Sequence, residues 1–421
     1  MAERMDAPRV VVIGGGAAGM MAALFAAEGG ARVTLLERND KLGRKVYITG
    51  KGRCNLTNDC ALDEFLREVP RNPRFLYSAL SSFTPQQMMA LLEDNGCPVT
   101  VQRGRRVFPA SEKASDVTRT LERALQRAGA QVRFGCRVQA LSLEDDAVRG
   151  VQLQSGEIVP ADRVIIATGG LSYPGTGSTG DGYRLAEQAG HTLQPRCPSL
   201  SALETVESWP CSLQGLSLKN VTLTLKRGKK TLYSELGEML FTHFGISGPL
   251  VLEMSCHLPD DLAQAQVTLD LKPGLYPQQL DARLQRELES QSRRQLRSIL
   301  CALLPGRLAD AFPAMCGVDA MKTGSQITRE ERERIGHTLK QLPVTPRALR
   351  PIEEAIVTRG GVTVREVNPG TMESKLVRGL YFAGEVLDVD AHTGGYNLQI
   401  AFSTGRLAGQ SAAQRNESVQ S

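Results

Sequence analysis

The sequence predicts an α/β fold built around a parallel sheet, and three observations predict it. Short apolar, β-branched runs stand where strands buried on both faces would be: Val10 to Ile13, Arg32 to Leu36, Arg163 to Thr168 and Leu380 to Asp388. Glycine-rich turns occur at Gly14 to Gly19, Gly169-Gly170 and Gly394-Gly395. Helical patterns then open at Met20 and at Leu398. With 421 residues the chain exceeds what one core needs, so two or three domains are expected.

The composition excludes several classes. With 41% apolar and 23% charged residues the chain is neither disordered nor fibrous. No run has the length of a transmembrane helix, so no membrane partner is expected. Met1 to Arg9 is charged and leads directly into a glycine-bearing apolar run, which is wrong for a cleaved signal peptide. Nine cysteines are an odd number and include no CxxC pair, against a disulfide framework and against a zinc or iron–sulfur site. The expected location is the cytoplasm, with no metal. No heptad run is present, so monomer is the default.

The first thirty-eight residues carry a dinucleotide fingerprint in its required context: strand, GxGxxG, helix, strand, acid. Gly14 permits the tight turn, Gly16 lets a pyrophosphate approach the backbone, and Gly19 lets helix and strand pack closely. Ala17 and Ala18 open the helix, whose N–H groups and partial positive charge suit phosphate. Glu37 is placed to accept hydrogen bonds from an adenosine ribose, with Arg38 beside it.

Three later segments point to FAD rather than NAD. Arg163 to Thr168 runs into Gly169-Gly170, and Leu380 to Asp388 ends in Gly384-Glu385 and Asp388. Thr393 to Asn397 (TGGYN) then precedes a helix over Leu398 to Ala408. In a Rossmann-like fold of the two-dinucleotide-binding type, the late strand delivers an acid to the ribityl chain. The following helix, with Gly395, Tyr396, Asn397 and Leu398 at its start, aims its N-terminus at the flavin pyrimidine. A second GxGxxG look-alike, Gly175 to Gly180, follows Pro174 instead of a strand and reads as a loop near the flavin. NAD(P)H is therefore expected as a transient electron donor without a fold of its own.

An insertion between about 191 and 361 divides the FAD-binding sequence. Val221 to Leu225 and Thr231 to Ser234 flank Lys226-Arg227-Gly228-Lys229-Lys230, a hairpin with a basic tip, and Val267 to Leu271 alternates like a strand. Leu280 to Leu304 and Arg329 to Leu342 read as helices, the second capped by Thr328 with Glu331 three residues on. Pro343 to Arg359 returns as extended chain. The expected domains are 1–190 with 362–421 for FAD, 191–272 with 343–361 as an inserted β-domain, and 273–342 as a helical basic subdomain.

Charge is concentrated. Between Arg283 and Arg350 thirteen basic residues face seven acidic ones, a surplus of six in a chain whose whole net charge is +5. Arg293, Arg294 and Arg297, the hairpin tip, and Arg103, Arg105 and Arg106 form three patches. They read either as solvated faces or as contacts for RNA phosphates.

The stretch from Lys41 to Lys45 and the block Thr49 to Asn58 (TGKGRCNLTN) resemble the BaiN/RdsA family of bacterial FAD-dependent oxidoreductases. So do Ala167 to Gly170 with Ser172 to Pro174, Thr242 to Pro249, Val357 to Val362, and Gly379 to Gln399. The resemblance implies an FAD domain, an inserted β-domain and a small helical domain. It implies one of two activities: reduction of a uridine in 23S ribosomal RNA to dihydrouridine, or reduction of a steroid C=C bond related to bile acids. Lys45, Gly52, Arg53, Cys54 and Asn55 of the distinctive block, with Thr168, join the expected cofactor contacts.

Such a reduction needs a hydride on one carbon and a proton on its neighbour, C6 and C5 for uracil, so the protein must position the substrate and supply an acid. Cys54, His243, His392 and Tyr396 are the candidate acids, with Cys54, His243 and Tyr396 taken as the catalytic set. Cys54, between Lys51, Arg53 and glycines, is either a tuned thiol or a small filler beside the cofactor. His243 is either a wall over the flavin or a structural histidine, and His392 is either an acid or a holder of the Gly394 loop.

Overall fold

A computed structural model describes residues 7–414; residues 1–6 of the charged N-terminal stretch and 415–421 lie outside it. The chain forms two compact units: the described residues up to Ser199 with those from Ile352 onward, and Leu200–Pro351.

In the first unit β1 (Arg9–Ile13), β2 (Arg32–Leu36), β3 (Gln131–Arg133), β4 (Arg163–Ile166) and β5 (Leu380–Phe382) build a sheet in the order β5-β4-β1-β2-β3. Every pairing is parallel, with Ile13 opposite both Leu36 and Ile166. Central position explains the continuous apolar run of β1: Val10 to Ile13 are all buried. Helix α1 (Ala17–Glu28) joins β1 to β2, and α2 (Tyr396–Ala413) packs on α1 through small residues. A Cβ on Gly405 would lie 2.3 Å from the Ala18 carbonyl oxygen, and one on Gly409 2.2 Å from that of Ala22. α2 is longer than the expected Leu398 to Ala408, because apolar and small residues bury it on to Ala413.

The unit boundary falls at 199/200 and 351/352, not at 190/191 and 361/362. The reason is an antiparallel ribbon, Leu193–Ser199 against Val357–Val362, that pairs within the first unit. His191 pins its start: the ring is buried, Nδ1 lies 3.1 Å from Glu366 Oε2, Nε2 lies 2.7 Å from Ser374 Oγ, and Phe382 packs edge-on. Burial pushes the imidazole below its ordinary 6.5. The folded state therefore holds this histidine neutral, and its contribution is present above pH 6.5 and lost as pH falls through the lowered value. In urea titrations, the stability advantage of the wild type over His191→Gln should shrink from pH 7.5 to pH 5 (roughly a unit either side of the free histidine value). A constant difference would refute this.

The second unit is a seven-stranded sheet ordered Leu342–Val344, Gln266–Asp270, Ser217–Arg227, Lys230–Thr242, Gly245–Ser247, Leu203–Thr205, Pro346–Leu349, paired antiparallel throughout. The expected hairpin is there, with longer arms. The helices of 273–342 share the sheet's core, Leu280, Leu284 and Ile335 clustering with Leu223, Leu225 and Leu269. The expected helix over Leu280 to Leu304 is broken into Pro277–Ser290 and Leu296–Leu300. Between them Leu296 N donates to Lys322 O at 2.8 Å, and Gly324 N to Arg294 O at 3.0 Å. These partners replace the helical bonds that the break gives up. Arg329–Lys340 forms as expected, Thr328 Oγ1 accepting from Glu331 N and Glu331 Oε2 from Thr328 N. Among the described residues no helix is long and apolar enough to cross a membrane.

Candidate dinucleotide site

The turn after β1 divides its glycines by task. A Cβ on Gly19 would lie 1.8 Å from the Gly14 carbonyl oxygen, and one on Gly14 2.7 Å from that of Ala167. Those two glycines are packing necessities. A Cβ on Gly16 would meet nothing within 4 Å. Gly16 is also the N-cap of α1, in extended conformation, with no side-chain cap and no acid in the first turn. Uncapped N–H groups, a positive helix end and an open approach to the backbone fit the pyrophosphate of a dinucleotide.

Glu37, at the end of β2, is buried. Its Oε2 accepts from Gly15 N at 2.7 Å, and its Oε1 from Asn39 N at 2.8 Å and Asn39 Nδ2 at 2.7 Å. The carboxylate is thus fixed at the mouth of the turn. Arg38 Nη1 reaches Thr179 Oγ1 at 2.5 Å and Asp181 Oδ2 at 3.3 Å, while Asn39 Nδ2 donates to Thr176 O at 3.1 Å. The second glycine loop therefore lies against the Glu37 to Asn39 segment, the end where the fingerprint receives an adenosine ribose. Thr168 and Gly169 follow β4, and a Cβ on Gly169 would meet Ser178 Oγ of that loop at 2.8 Å.

Four motifs far apart in sequence meet in one polar network. Lys45 Nζ donates to Glu385 Oε2 at 2.7 Å and to Ser172 Oγ at 2.6 Å. Glu385 Oε1 accepts from Ser172 Oγ at 3.0 Å and from Thr358 N at 2.8 Å. Thr358 Oγ1 in turn accepts from Leu171 N at 2.8 Å. Gly170 has no Cβ because one would lie 2.4 Å from Thr358 Oγ1. Ser172 and Thr358 were not among the expected site residues; their signal was adjacency to the glycine pairs 169–170 and 360–361.

The glycine–basic block 49–55 turns through left-handed residues, Lys51 and Cys54 among them. Arg53 stacks 4.4 Å over Phe108 and donates to Glu112 at 3.0 Å. Lys51 and Gly52 are exposed. Cys54 is fully buried, and burial pushes its thiol up to about 12. Of the two roles open to it, that setting suits the filler, since an enclosed thiol touches no solvent-borne substrate.

The same block receives the Gly394-Gly395 turn. With its amide oxygen turned toward it, Asn55 accepts from Gly395 N at 3.1 Å, and a Cβ on Gly395 (φ +102°) would lie 2.4 Å from Thr57 O. Asn58 Nδ2 donates to Gly394 O at 3.2 Å and to Gly104 O at 3.0 Å. Gly395 caps α2, which again has neither a side-chain cap nor an acid in its first turn. Tyr396 stands at that end with its ring edge-on to Phe65, centroids 5.0 Å apart, and Leu398 is half-buried behind it. Asn397 holds the loop before it, accepting from Ala391 N at 2.9 Å and donating to Ala391 O at 2.7 Å. His392 Nδ1 lies 2.9 Å from Glu68 Oε2.

Gly384 packs against Ala18 of α1, where its Cβ would approach 2.8 Å. Beyond it Asp388 accepts from Asn72 Nδ2 at 3.0 Å, and fully buried Asp390 accepts from Ser199 Oγ at 2.6 Å with Arg71 Nε 4.0 Å away. Burial raises both carboxyls above the usual range. Asp390 was not foreseen; its spacing of two from Asp388 was the available signal. His243 belongs to the second unit, exposed on the turn after Lys230–Thr242 with its ring edge-on to Phe244. Cys54, Tyr396 and the residues expected to contact the cofactor all belong to the first unit.

This cradle and the parallel sheet define a mixed α/β, Rossmann-type protein of the kind that flavoprotein oxidoreductases use. The chain belongs to the family described as HI0933-like protein Rossmann domain, whose model matches residues 8–411, in keeping with the BaiN/RdsA resemblance. It is 34% identical over 413 residues to the 3-dehydro-bile acid delta(4,6)-reductase of Clostridium scindens, covering 97% of this chain and 99% of that one. It is 32% identical over 403 residues to the ribosomal RNA dihydrouridine synthase of Escherichia coli K12, covering 96% of each. Among solved structures, the 3-ketosteroid-delta4-(5alpha)-dehydrogenase of Rhodococcus jostii superposes with a TM-score of 0.52 at 17% identity, covering 98% of this chain and 99% of that one, which shows the shared fold.

Proposed function

We propose that the protein is an FAD-dependent reductase of the uridine C5=C6 bond in 23S ribosomal RNA, acting in the cytoplasm with electrons from NAD(P)H. The stoichiometry is one uridine, one NAD(P)H and one proton to one dihydrouridine and one NAD(P)⁺. FAD, when bound, supplies the hydride. The chain's part is to hold and orient: the open Gly16 turn and α1 for the pyrophosphate, Glu37 for the ribose, and Lys45, Glu385 and Asp388 on the flavin side. The uncapped start of α2 favours negative charge at the pyrimidine edge. Tyr396 there carries a hydroxyl suited to protonate C5.

One observation carries the RNA reading. Arg103 and Arg106 are exposed and form no ion pair among the described residues, with Arg105 between them paired to Glu64, on a segment that Asn58 ties to the Gly394 turn, its amide spanning Gly104 O and Gly394 O. A guanidinium cluster fixed to that turn suits a substrate that brings its own phosphates. A second reading, reduction of a small-molecule C=C bond such as a steroid enone, draws on the similarity to the Clostridium scindens reductase.

The test is a dihydrouridine map of ribosomal RNA from a strain lacking the gene beside its parent. One 23S signal should vanish and return with the wild-type gene, but not with a Gly16→Glu copy. An unchanged map in a parent that carries the mark would reject the RNA reading and move the search to NADPH-dependent reduction of free enones.

A further inference from the structure

Ion pairing separates the basic patches. Of the thirteen basic residues between Arg283 and Arg350, nine lie within 4.0 Å of a carboxylate, Arg297 on Asp310 and Arg332 on Asp281 among them. The charge surplus of that helical region is largely neutralised where it stands, and such residues have less to offer an outside anion.

The hairpin tip is different. Lys226, Arg227, Lys229 and Lys230 are all exposed, and among the described residues none of them forms an ion pair. The register sets Arg227 directly opposite Lys230, and Lys226 opposite Thr231. Like charges facing each other across two strands are destabilising, so the protein alone gains nothing from this arrangement. The cross-strand turn at Gly228 (φ +56°) has open space around it, and the strands behind it are anchored by Leu223, Leu225 and Tyr233 in the core. The sheet, three strands wide as far as Lys226 opposite Gln266, therefore ends in a turn that carries four cations. Residues 226–231 include no aromatic, which suits backbone phosphate contacts and gives no platform for stacked bases.

We propose that this hairpin tip is a docking arm for the sugar–phosphate backbone of the RNA substrate. It binds by charge, so it adds affinity without reading sequence. This rests on the RNA reading above.

The experiment compares three full-length holoproteins on an unmodified 23S transcript: wild type, Lys226→Gln/Arg227→Gln/Lys229→Gln/Lys230→Gln, and a matched variant with Arg283, Arg297, Arg329 and Arg347 changed to Gln. The last removes as much charge from ion-paired positions. Binding is measured across a KCl series, dihydrouridine yield at one salt, and NADPH-driven flavin bleaching without RNA. The hairpin variant should lose about 3 from the slope of log K against log[KCl], bind more than about tenfold weaker at 0.1 M and modify less RNA. Its flavin bleaching should match wild type, and the matched variant's slope should move by less than about 1. Equal slopes and yields for wild type and hairpin variant, or an equal loss in the matched variant, would overturn the docking role while the RNA reading stands. A wild type that neither binds nor modifies the transcript overturns both.

Discussion

Gly16→Glu should yield a folded, colourless protein, whereas Gly19→Ala should damage the fold itself. The two glycines sit three residues apart in one turn, and their surroundings are opposite. At Gly16 the backbone is ordinary extended chain and a side chain meets nothing within 4 Å, so the unliganded protein tolerates one. That same space is where a pyrophosphate would approach the α1 N–H groups, and a glutamate there adds bulk and a like charge. FAD retention should fall below about one hundredth of wild type, since loss of phosphate contacts and repulsion act together. At Gly19 a methyl group would sit 1.8 Å from the Gly14 carbonyl oxygen, far inside van der Waals contact, so α1 must shift off β1. A cost of about 3 kcal/mol is expected, seen as a lowered unfolding midpoint even without cofactor. The 450 nm absorbance per mole of protein and thermal unfolding, measured on both variants, separate the two effects. A yellow Gly16→Glu protein would remove the cradle from the argument.

Much of the first unit was legible because its signals are local. A β-branched run followed by glycines and an acid-tipped strand specifies one βαβ unit within thirty-eight residues, and the parallel register follows from it. The capping box at Thr328 was equally local. The broken helix was not: Leu280, Leu284, Leu288 and Leu296 keep helical spacing straight across the break, with no glycine or proline between them. What ends the helix is a set of backbone bonds to 322–324, which no window of neighbouring residues contains. The charge pattern stayed open between solvated face and phosphate contact for the same reason. Counting Arg and Lys gives a surplus, but Arg332 meets Asp281 fifty-one positions away, and only the folded chain shows which cations stay unpaired. Site residues divide likewise: the glycines and Glu37 announce themselves by spacing, whereas Ser172, Thr358 and Asp390 acquire roles only from partners distant in sequence.

The Lys45–Glu385 pair is the sharpest case, 340 residues apart, and its removal should have the second largest effect. Both side chains are about a fifth exposed, 23% and 18%, so the pair is sheltered without being dry. Lys45→Met leaves Glu385 with only Ser172 and the Thr358 amide for its charge. A fully buried pair broken this way costs about 3–5 kcal/mol, and partial exposure brings the expectation to about 2–3 kcal/mol. Lys45→Met/Glu385→Leu removes both charges and should recover more than half of that loss, because desolvation is relieved on both sides. Recovery of stability without recovery of flavin would assign the pair to the cofactor; recovery of both would assign it to the fold. Equal losses in the single and double variants would mean that Ser172 and the Thr358 amide satisfy the Glu385 charge without Lys45. Because Ser172 Oγ contacts both Lys45 and Glu385, Ser172→Ala in the double-variant background should then cost less than in wild type, the cycle measuring how far the network acts as one unit.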